Sequence, residues 1–408
     1  MTAPADDGSP RAANHAGLAV LLALLAAIGP FTIDTYLPAF PTIGRSLAAT
    51  ELEVQQTLTA YLAPFAFMTL WHGSISDALG RRVVVLVSLL GFAAASAVCM
   101  LAPNIETLWL GRALQGITSG AGMVVGRAIV RDLLSGAEAQ KLMARIAMIF
   151  AISPAVAPII GGWIYVALGW RATFGFLLLF GLLLCLACWR YLPETLPPDK
   201  RHSLHPVTLG RAYLHAFTHR QFLLLIAALS VNFGGFFLYV LSAPKFLIEH
   251  LGVSPQGFGT LFVPTVLGMM AGSYISGRVA GKLTPLRTVS IAYAIMLAAV
   301  VLNVLLNTFA APGVPQSIVP IPLYNIGMAL AMPNLTLLGL EQLPQRGLAA
   351  SCQSFAQSTT TSLAAAFVVP LLWGSPLALA LGMACFLGLG LLCFTLYALA
   401  PHRPAQAG

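Results

Sequence analysis

The chain is 408 residues long, 58% hydrophobic and only 8% charged, with a formal net charge of +8. Soluble domains carry about 25% charged residues, so too little charge is present to cover a water-facing surface, and the mean hydropathy of +0.85 makes lipid the surrounding solvent. The basic residues sit in short loops between apolar runs rather than on one face, which excludes a nucleic-acid interface and points to orientation in a bilayer.

The first apolar run follows Arg11 and His15. No clear small-residue cleavage site interrupts it, and many more runs follow, so it is taken as a span rather than a signal peptide. A spanning helix needs about 20 mostly apolar residues. That window predicts twelve spans, at roughly 16–38, 55–76, 82–101, 106–130, 139–163, 170–192, 219–243, 256–277, 288–308, 316–340, 347–371 and 375–398. Span 5 is the least regular, with Lys141 and Arg145 at its start and Pro154 and Pro158 inside. A membrane β-barrel would need alternating segments of about 10 residues, whereas these runs are continuous. The fold class is therefore an all-α polytopic membrane protein. The polar stretch 193–218 divides six spans (1–192) from six (219–408), as two repeated bundles would require.

Span 1 contains Asp34, the one acidic residue of 13 that falls well within a predicted span. A carboxylate at the centre of a span costs about 2.5–3.5 kcal/mol on insertion scales and is usually functional. Any carboxylate withdrawn from water disfavours its charged form, so this position is a candidate for binding and releasing a proton near physiological pH. After span 2 comes Gly73-Ser-Ile-Ser-Asp77-Ala-Leu-Gly80-Arg81-Arg82, a loop in which Gly80 permits a tight reversal and Asp77 can cap a helix or pair with arginine.

Span 4 carries Arg112, whose guanidinium cannot be neutralised and needs a partner or water. At 1.5 Å per residue, Asp34 lies roughly 27 Å along span 1 and Arg112 roughly 9 Å below the far face, so both fall in the outer half of the bilayer and Arg112 is the expected electrostatic counterpart of Asp34. Satisfaction by backbone carbonyls is the structural alternative. Gln115 stands three residues on, on the same face, and Gly116, Gly120 and Gly122 permit close helix approach.

The six cysteines, Cys99, Cys185, Cys188, Cys352, Cys385 and Cys393, all lie in apolar stretches and are expected to pack rather than react. His72 and His250 are isolated near helix ends. His202, His205, His215 and His219 lie in or beside the central loop, and a metal site there is weighed and set aside.

One side of the membrane receives Arg11, Arg81, Arg82, Arg131, Lys141, Arg145, Arg190, Lys200, Arg201, Arg211, Arg220, Arg278, Lys282, Arg287, Arg346 and Arg403. The other receives Arg45, Arg171 and Lys245. The basic side is cytoplasmic, which puts both termini and the central loop in the cytoplasm.

Several of these segments, in this order, resemble the major facilitator superfamily. Gly73-x-x-x-Asp77-x-x-Gly80-Arg81-Arg82 resembles its signature loop and Arg112-x-x-Gln115-Gly116 its proton-coupling motif. Pro154-Ala-Val-Ala-Pro158-Ile-Ile-Gly161-Gly162 resembles its antiporter motif, with Ala157-Pro158 where Gly-Pro is usual. Ile33-Asp34-Thr-Tyr36-Leu37-Pro38-Ala39, Val130-Arg131-Asp132 and Pro193-Glu194-Thr195-Leu196 are similar to the Bcr/CflA group of drug:proton antiporters within it. The resemblance covers the whole chain and is denser in the first half.

It implies two six-helix bundles that rock around a central site. It also implies a latch in which Asp77 touches the start of span 11 near Gly347 and the loop arginines engage Asp132. The implied activity is proton-driven export of small compounds by a monomer in the bacterial inner membrane, with no cofactor beyond the proton gradient.

Polar and aromatic residues inside spans are the candidates for lining the cargo site: Tyr36, Tyr61, Phe65 and Gln115 in the first half, and Asn232, Phe236, Tyr239, Asn325, Asn334, Gln353, Phe355 and Gln357 in the second. Several can equally join helices to one another. The second half has no charge deep in a span, so coupling is expected in the first bundle and an apolar, adaptable wall in the second. Such a wall suits lipophilic or weakly polar cargo held by area rather than by fixed hydrogen bonds. Three rival functions stand against this reading. A narrow metabolite exporter, of a sugar or amino acid for example, fits the same fold. A membrane-embedded enzyme lacks any metal-ligand pair, nucleophile–base motif or nucleotide loop, and a passive channel needs no titratable Asp34.

Overall fold

The computed structural model describes residues 10–201 and 206–400; Arg403, His202 and His205 of the sequence reading lie outside them. Among the described residues there is no strand, only one isolated bridge between Ala280 and Leu283. Twelve long helices run in chain order: α1 (Pro10–Asp34), α2 (Glu51–Leu79), α3 (Arg81–Met100), α4 (Ile105–Leu133), α5 (Gly136–Leu168), α6 (Trp170–Tyr191), α7 (Arg220–Leu241), α8 (Gly259–Val279), α9 (Pro285–Phe309), α10 (Pro320–Leu340), α11 (Arg346–Leu363) and α12 (Pro376–Leu399). Each coincides with a predicted span. Shorter helices cover Phe40–Leu47 and Pro206–Ala216.

Ten helices are long and apolar enough to cross a membrane by length and composition; α2 and α11 are not among them. Their polar residues explain why. Gln55, Thr57, Thr69, His72 and Ser76 of α2, and Gln353, Thr361 and Ser362 of α11, are buried within the protein, so they need no compatibility with hydrocarbon. At 29 residues, α2 is about 43 Å long, more than the ~30 Å hydrocarbon core. Its start is fixed by a capping box. Thr50 Oγ1 accepts from the Glu53 amide at 3.2 Å, and the Thr50 amide donates to Glu53 Oε2 at 2.7 Å, which holds the exposed Glu53 carboxyl below its usual range.

The chain forms two compact units. One comprises Met1–Leu204 with Pro255–Gly259, the other His205–Ser254 with Thr260–Gly408. In the first, α2 packs along α4, α3 against α4 and α6, and α1 against α4 and α5. In the second, α9 packs against α10 and α12, and α7 against α10, α11 and α12. The helix Pro206–Ala216 lies on α11, where Phe217 meets Phe355 edge-on at 5.9 Å.

Helix α4 is the hub of the first unit because its glycines let three neighbours approach. A Cβ at Gly111 would strike Cys99 of α3, one at Gly116 the Tyr61 carbonyl of α2, and one at Gly122 the Leu25 carbonyl of α1.

Candidate functional site

The regular turns of α1 stop at Asp34. The chain bends at Thr35 and Tyr36, makes a single 3-10 turn over Leu37–Ala39, and resumes as Phe40–Leu47. Pro38 and Pro41 contribute no backbone donor, which weakens the helix across this stretch and favours the break seen there. The sequence reading placed Asp34 inside an unbroken span; it stands instead at a break within one. Interrupted helices expose backbone polar groups at membrane depth and recur at transporter binding sites. Asp34 is only 4% exposed, and among the described residues nothing donates to its Oδ1.

Arg112 of α4 is fully buried, with its guanidinium between the rings of Tyr36 and Tyr61, 4.5 and 4.6 Å from their centroids. Nη1 donates to the Thr32 carbonyl at 3.0 Å and to Gln115 Oε1 at 2.8 Å, and Nε to the Thr57 carbonyl at 3.4 Å. Gln115 Nε2 in turn donates to Ser96 Oγ of α3 at 2.8 Å. The Thr57 hydroxyl is spent on the Val54 carbonyl at 2.6 Å, so Tyr36 is the donor in its 2.9 Å bond to Thr57. One guanidinium thus ties α1, α2, α3 and α4 together.

The expected Arg112–Asp34 ion pair is not formed among the described residues, and backbone carbonyls satisfy the arginine instead. A guanidinium has five donors in a fixed fork. Carbonyl oxygens of α1 and α2 already surround it, leaving Nη2 without a partner.

The antiporter-motif segment of α5 meets this break directly. Pro154 and Pro158 lie inside one continuous helix, and Gly161 faces the bend in α1, where an added Cβ would run into the Thr35 carbonyl. Gly162 lies against the carbonyl of Pro255 in the same unit. Gly161→Ala is expected to destabilise by about 1–3 kcal/mol through overpacking, read as a lower unfolding temperature in detergent. An unchanged temperature would show that the bend in α1 yields freely.

At the other end of α2, Arg81 is the centre of the signature loop. It pairs with Asp77 at 2.6 Å and Asp132 at 3.0 Å and donates to Ser76 Oγ at 2.6 Å. Arg82 does not join it at Asp132, as expected from sequence, but donates to the Trp189 carbonyl at 2.5 Å. Gly80 between α2 and α3 has φ 101°, a left-handed conformation that favours glycine. Gly73 lies on α2 with ordinary packing against Val124.

The sequence reading gave Glu194 no role. Its carboxylate accepts the Arg81 and Arg82 amides at 3.0 and 3.2 Å, capping the positive end of α3, while Thr195 Oγ1 donates to Asp132 at 3.1 Å. The signal was the Pro193–Leu196 motif itself, whose partners are 112 and 113 residues away.

The proposed cargo-lining residues divide by accessibility. Tyr36, Tyr61, Gln115, Asn232, Phe236, Tyr239, Asn325 and Gln353 are buried and act within their own units. Asn232 Nδ2 donates to Tyr293 at 2.8 Å, Asn303 Nδ2 to Tyr239 at 2.8 Å, and Gln353 Nε2 to the Thr336 carbonyl at 3.2 Å. Asn325 and Asn334 bond carbonyls of their own helix, each at 3.0 Å. Phe65, Asn334, Phe355 and Gln357 are half-buried and keep accessible surface. Buried amides in spans are first satisfied by neighbouring helices, which sequence alone does not separate from contact with cargo. The charge count also passed over Arg127, an exposed basic residue within span 4.

Residues 22–369 match the model of the Major Facilitator Superfamily. The chain is 36% identical over 347 residues to an uncharacterized MFS-type transporter, YdgK, of Bacillus subtilis (strain 168), covering 84% of this chain and 86% of that protein. It is 31% identical to the bicyclomycin resistance protein homolog of Haemophilus influenzae (strain ATCC 51907 / DSM 11121 / KW20 / Rd), over 67% of this chain and 69% of that one. Among solved structures, the human organic anion transporter MFSD10 (TETRAN) has the same fold, with a TM-score of 0.66 at 21% identity over 94% of this chain and 99% of that one. On the matched length, the two helical units and the shared motifs, the chain belongs to the major facilitator superfamily, in its Bcr/CflA-type group.

Proposed function

We propose that this protein exports small, mostly lipophilic or weakly polar compounds from a bacterial cell in exchange for protons, working as a monomer in the inner membrane with both termini in the cytoplasm. The relative named for bicyclomycin resistance supports drug efflux as the activity. Asp34 carries the coupling assignment: a buried carboxylate at a helix break, with one oxygen that nothing in the described protein satisfies.

A carboxylate closed off from water is costly unless it is protonated or paired. Arg112 spends Nε and Nη1 on Thr32, Thr57 and Gln115 and forms no ion pair with Asp34 among the described residues, so in this reading protonation closes the site. Opening to water or to cargo allows the proton to leave. A proton and a cargo molecule thereby exclude one another at Asp34, which is the condition for antiport by alternating access. The buried tyrosine–arginine–glutamine cluster holds the break rigid while this exchange occurs. The proton gradient is the energy source, and no organic cofactor or metal takes part in this scheme.

The signature loop supplies the conformational latch in this reading. Asp77 is half-exposed, and the buried Arg81 keeps its second carboxylate partner, Asp132 at 3.0 Å, when Asp77 is removed. Asp77→Ala is therefore expected to leave folding and cargo affinity nearly unchanged while slowing turnover. Weaker binding at normal turnover would contradict the latch.

The direct test is export from proteoliposomes under an imposed pH gradient, with bicyclomycin and a panel of neutral, cationic and anionic aromatic compounds. Gradient-dependent movement of several panel members is expected. Equal movement with and without a gradient would overturn proton coupling, and movement of a single metabolite only would replace drug efflux with narrow specificity.

A further inference from the structure

Arg127 is a charge within the membrane span of α4 that the coupling scheme does not use. It is exposed, and no carboxylate among the described residues stands within ion-pair distance of it. Its neighbour one turn on is another cation, Arg131, which is destabilising at i,i+4 spacing unless something negative comes between. A guanidinium cannot escape by losing its proton, and facing hydrocarbon alone is costly.

What surrounds Arg127 is a cleft of about 110 Å³ between α1, α4 and α5, lined by Leu22, Met123, Met143, Ile146 and Phe150. Gly126 keeps its floor open, since an added Cβ there would meet only Leu22, at 3.8 Å. A closed cavity of ~150 Å³ accepts one benzene ring, so this smaller, open-sided cleft seats part of an aromatic ring and leaves the rest at its mouth. Thioethers and a phenyl ring make a soft wall that adapts to a flat apolar body. A guanidinium fork at the edge of such a wall matches a carboxylate with two parallel hydrogen bonds.

We propose that this cleft binds the aromatic ring of an organic anion, with Arg127 holding its carboxylate. The inference rests on the reading of the chain as an exporter of small compounds and narrows it: aromatic carboxylates are among the cargo, and Arg127 is a specificity-determining residue for them. Ala26, at the cleft, and Asp34 lie on the same helix, roughly 12 Å apart along its axis, so the anion site and the proposed proton site share α1 without overlapping.

The test is equilibrium binding to the purified full-length protein in detergent. The probes are benzoate, benzyl alcohol as the neutral ring of similar shape, and benzylamine as the cation. Wild type is expected to bind benzoate at least about tenfold more tightly than the other two, the gain of a charge-assisted hydrogen-bonded pair. Arg127→Gln should lose that preference, leaving benzyl alcohol within about twofold of wild type, and Arg127→Lys should keep part of it. Gly126→Leu should exclude both benzoate and benzyl alcohol by filling the cleft.

Benzoate binding unchanged in Arg127→Gln, or a wild-type preference for benzylamine, would overturn the proposal and leave an arginine that merely extends to the headgroups. If Arg127→Gln fails to fold, Arg127→Lys and Gly126→Leu decide it: benzoate binding unaltered in both overturns the site. Proteoliposome export run in parallel separates the two readings. Absent export of every compound removes the transport assignment, whereas intact export with benzoate indifferent to Arg127 removes only the anion site.

Discussion

Asp34→Asn is expected to abolish gradient-driven export, by roughly 100-fold or more, the lower range of what a positioned proton-transfer group supplies, while the protein still folds and reaches the membrane. Asparagine matches aspartate in size, so the packing around the α1 break, including the close approach of Gly161 to Thr35, is kept. What it removes is the ability to change charge. A substituted protein locked in a neutral form should still bind lipophilic cargo, and should still exchange it between the two sides of a vesicle when no gradient is applied. Export under a gradient and exchange without one are therefore the paired readouts. Export at the wild-type rate would move proton coupling elsewhere, and loss of both would point to a structural role for the carboxylate.

Arg112→Ala has the second-largest expected effect, on stability as well as on function. The substitution leaves the Thr32 carbonyl and Gln115 Oε1 without their donor and opens space between the rings of Tyr36 and Tyr61. Each buried polar group stripped of its partner costs about 1–3 kcal/mol, and relaxation of the helices recovers part of that. A clear drop in the unfolding temperature of the purified protein is expected. Arg112→Lys keeps the charge but loses the planar fork, so it should fold better than the alanine variant. If the cluster holds the Asp34 region in place, the lysine variant will shift the pH dependence of cargo binding. A folded lysine variant with the wild-type pH profile would confine Arg112 to a structural role.

The twelve spans were legible because hydrocarbon imposes a length and an apolarity that few other environments require. Even α2 and α11, too polar to qualify by composition, fell where expected, since their polar residues interrupt apolar runs without ending them. The break after Asp34 was not legible. Leu37, Pro38, Ala39, Phe40 and Pro41 continue the apolar run, so hydropathy is silent where the backbone changes direction; the paired prolines were the available sign.

Asp34 and Arg112 stood out as charges in spans, but which groups would meet them was not readable. Carbonyl partners belong to every residue and leave no mark on a sequence, and Arg112 turned to those of Thr32 and Thr57. Glu194 stood in a recognisable motif, but its role was unreadable for a related reason: its partners are backbone amides of a distant helix start. Arg127 was hidden by proximity to Arg131, beside which it resembles one more anchor at the cytoplasmic edge.

The most direct measurement is proton release on cargo binding, followed with a pH indicator in weakly buffered detergent solution, for the wild type and Asp34→Asn with the same transported compound. Wild type should release protons as cargo binds, and the asparagine variant should bind that compound and release none. Equal release from both proteins would contradict the assignment of the exchanged proton to Asp34.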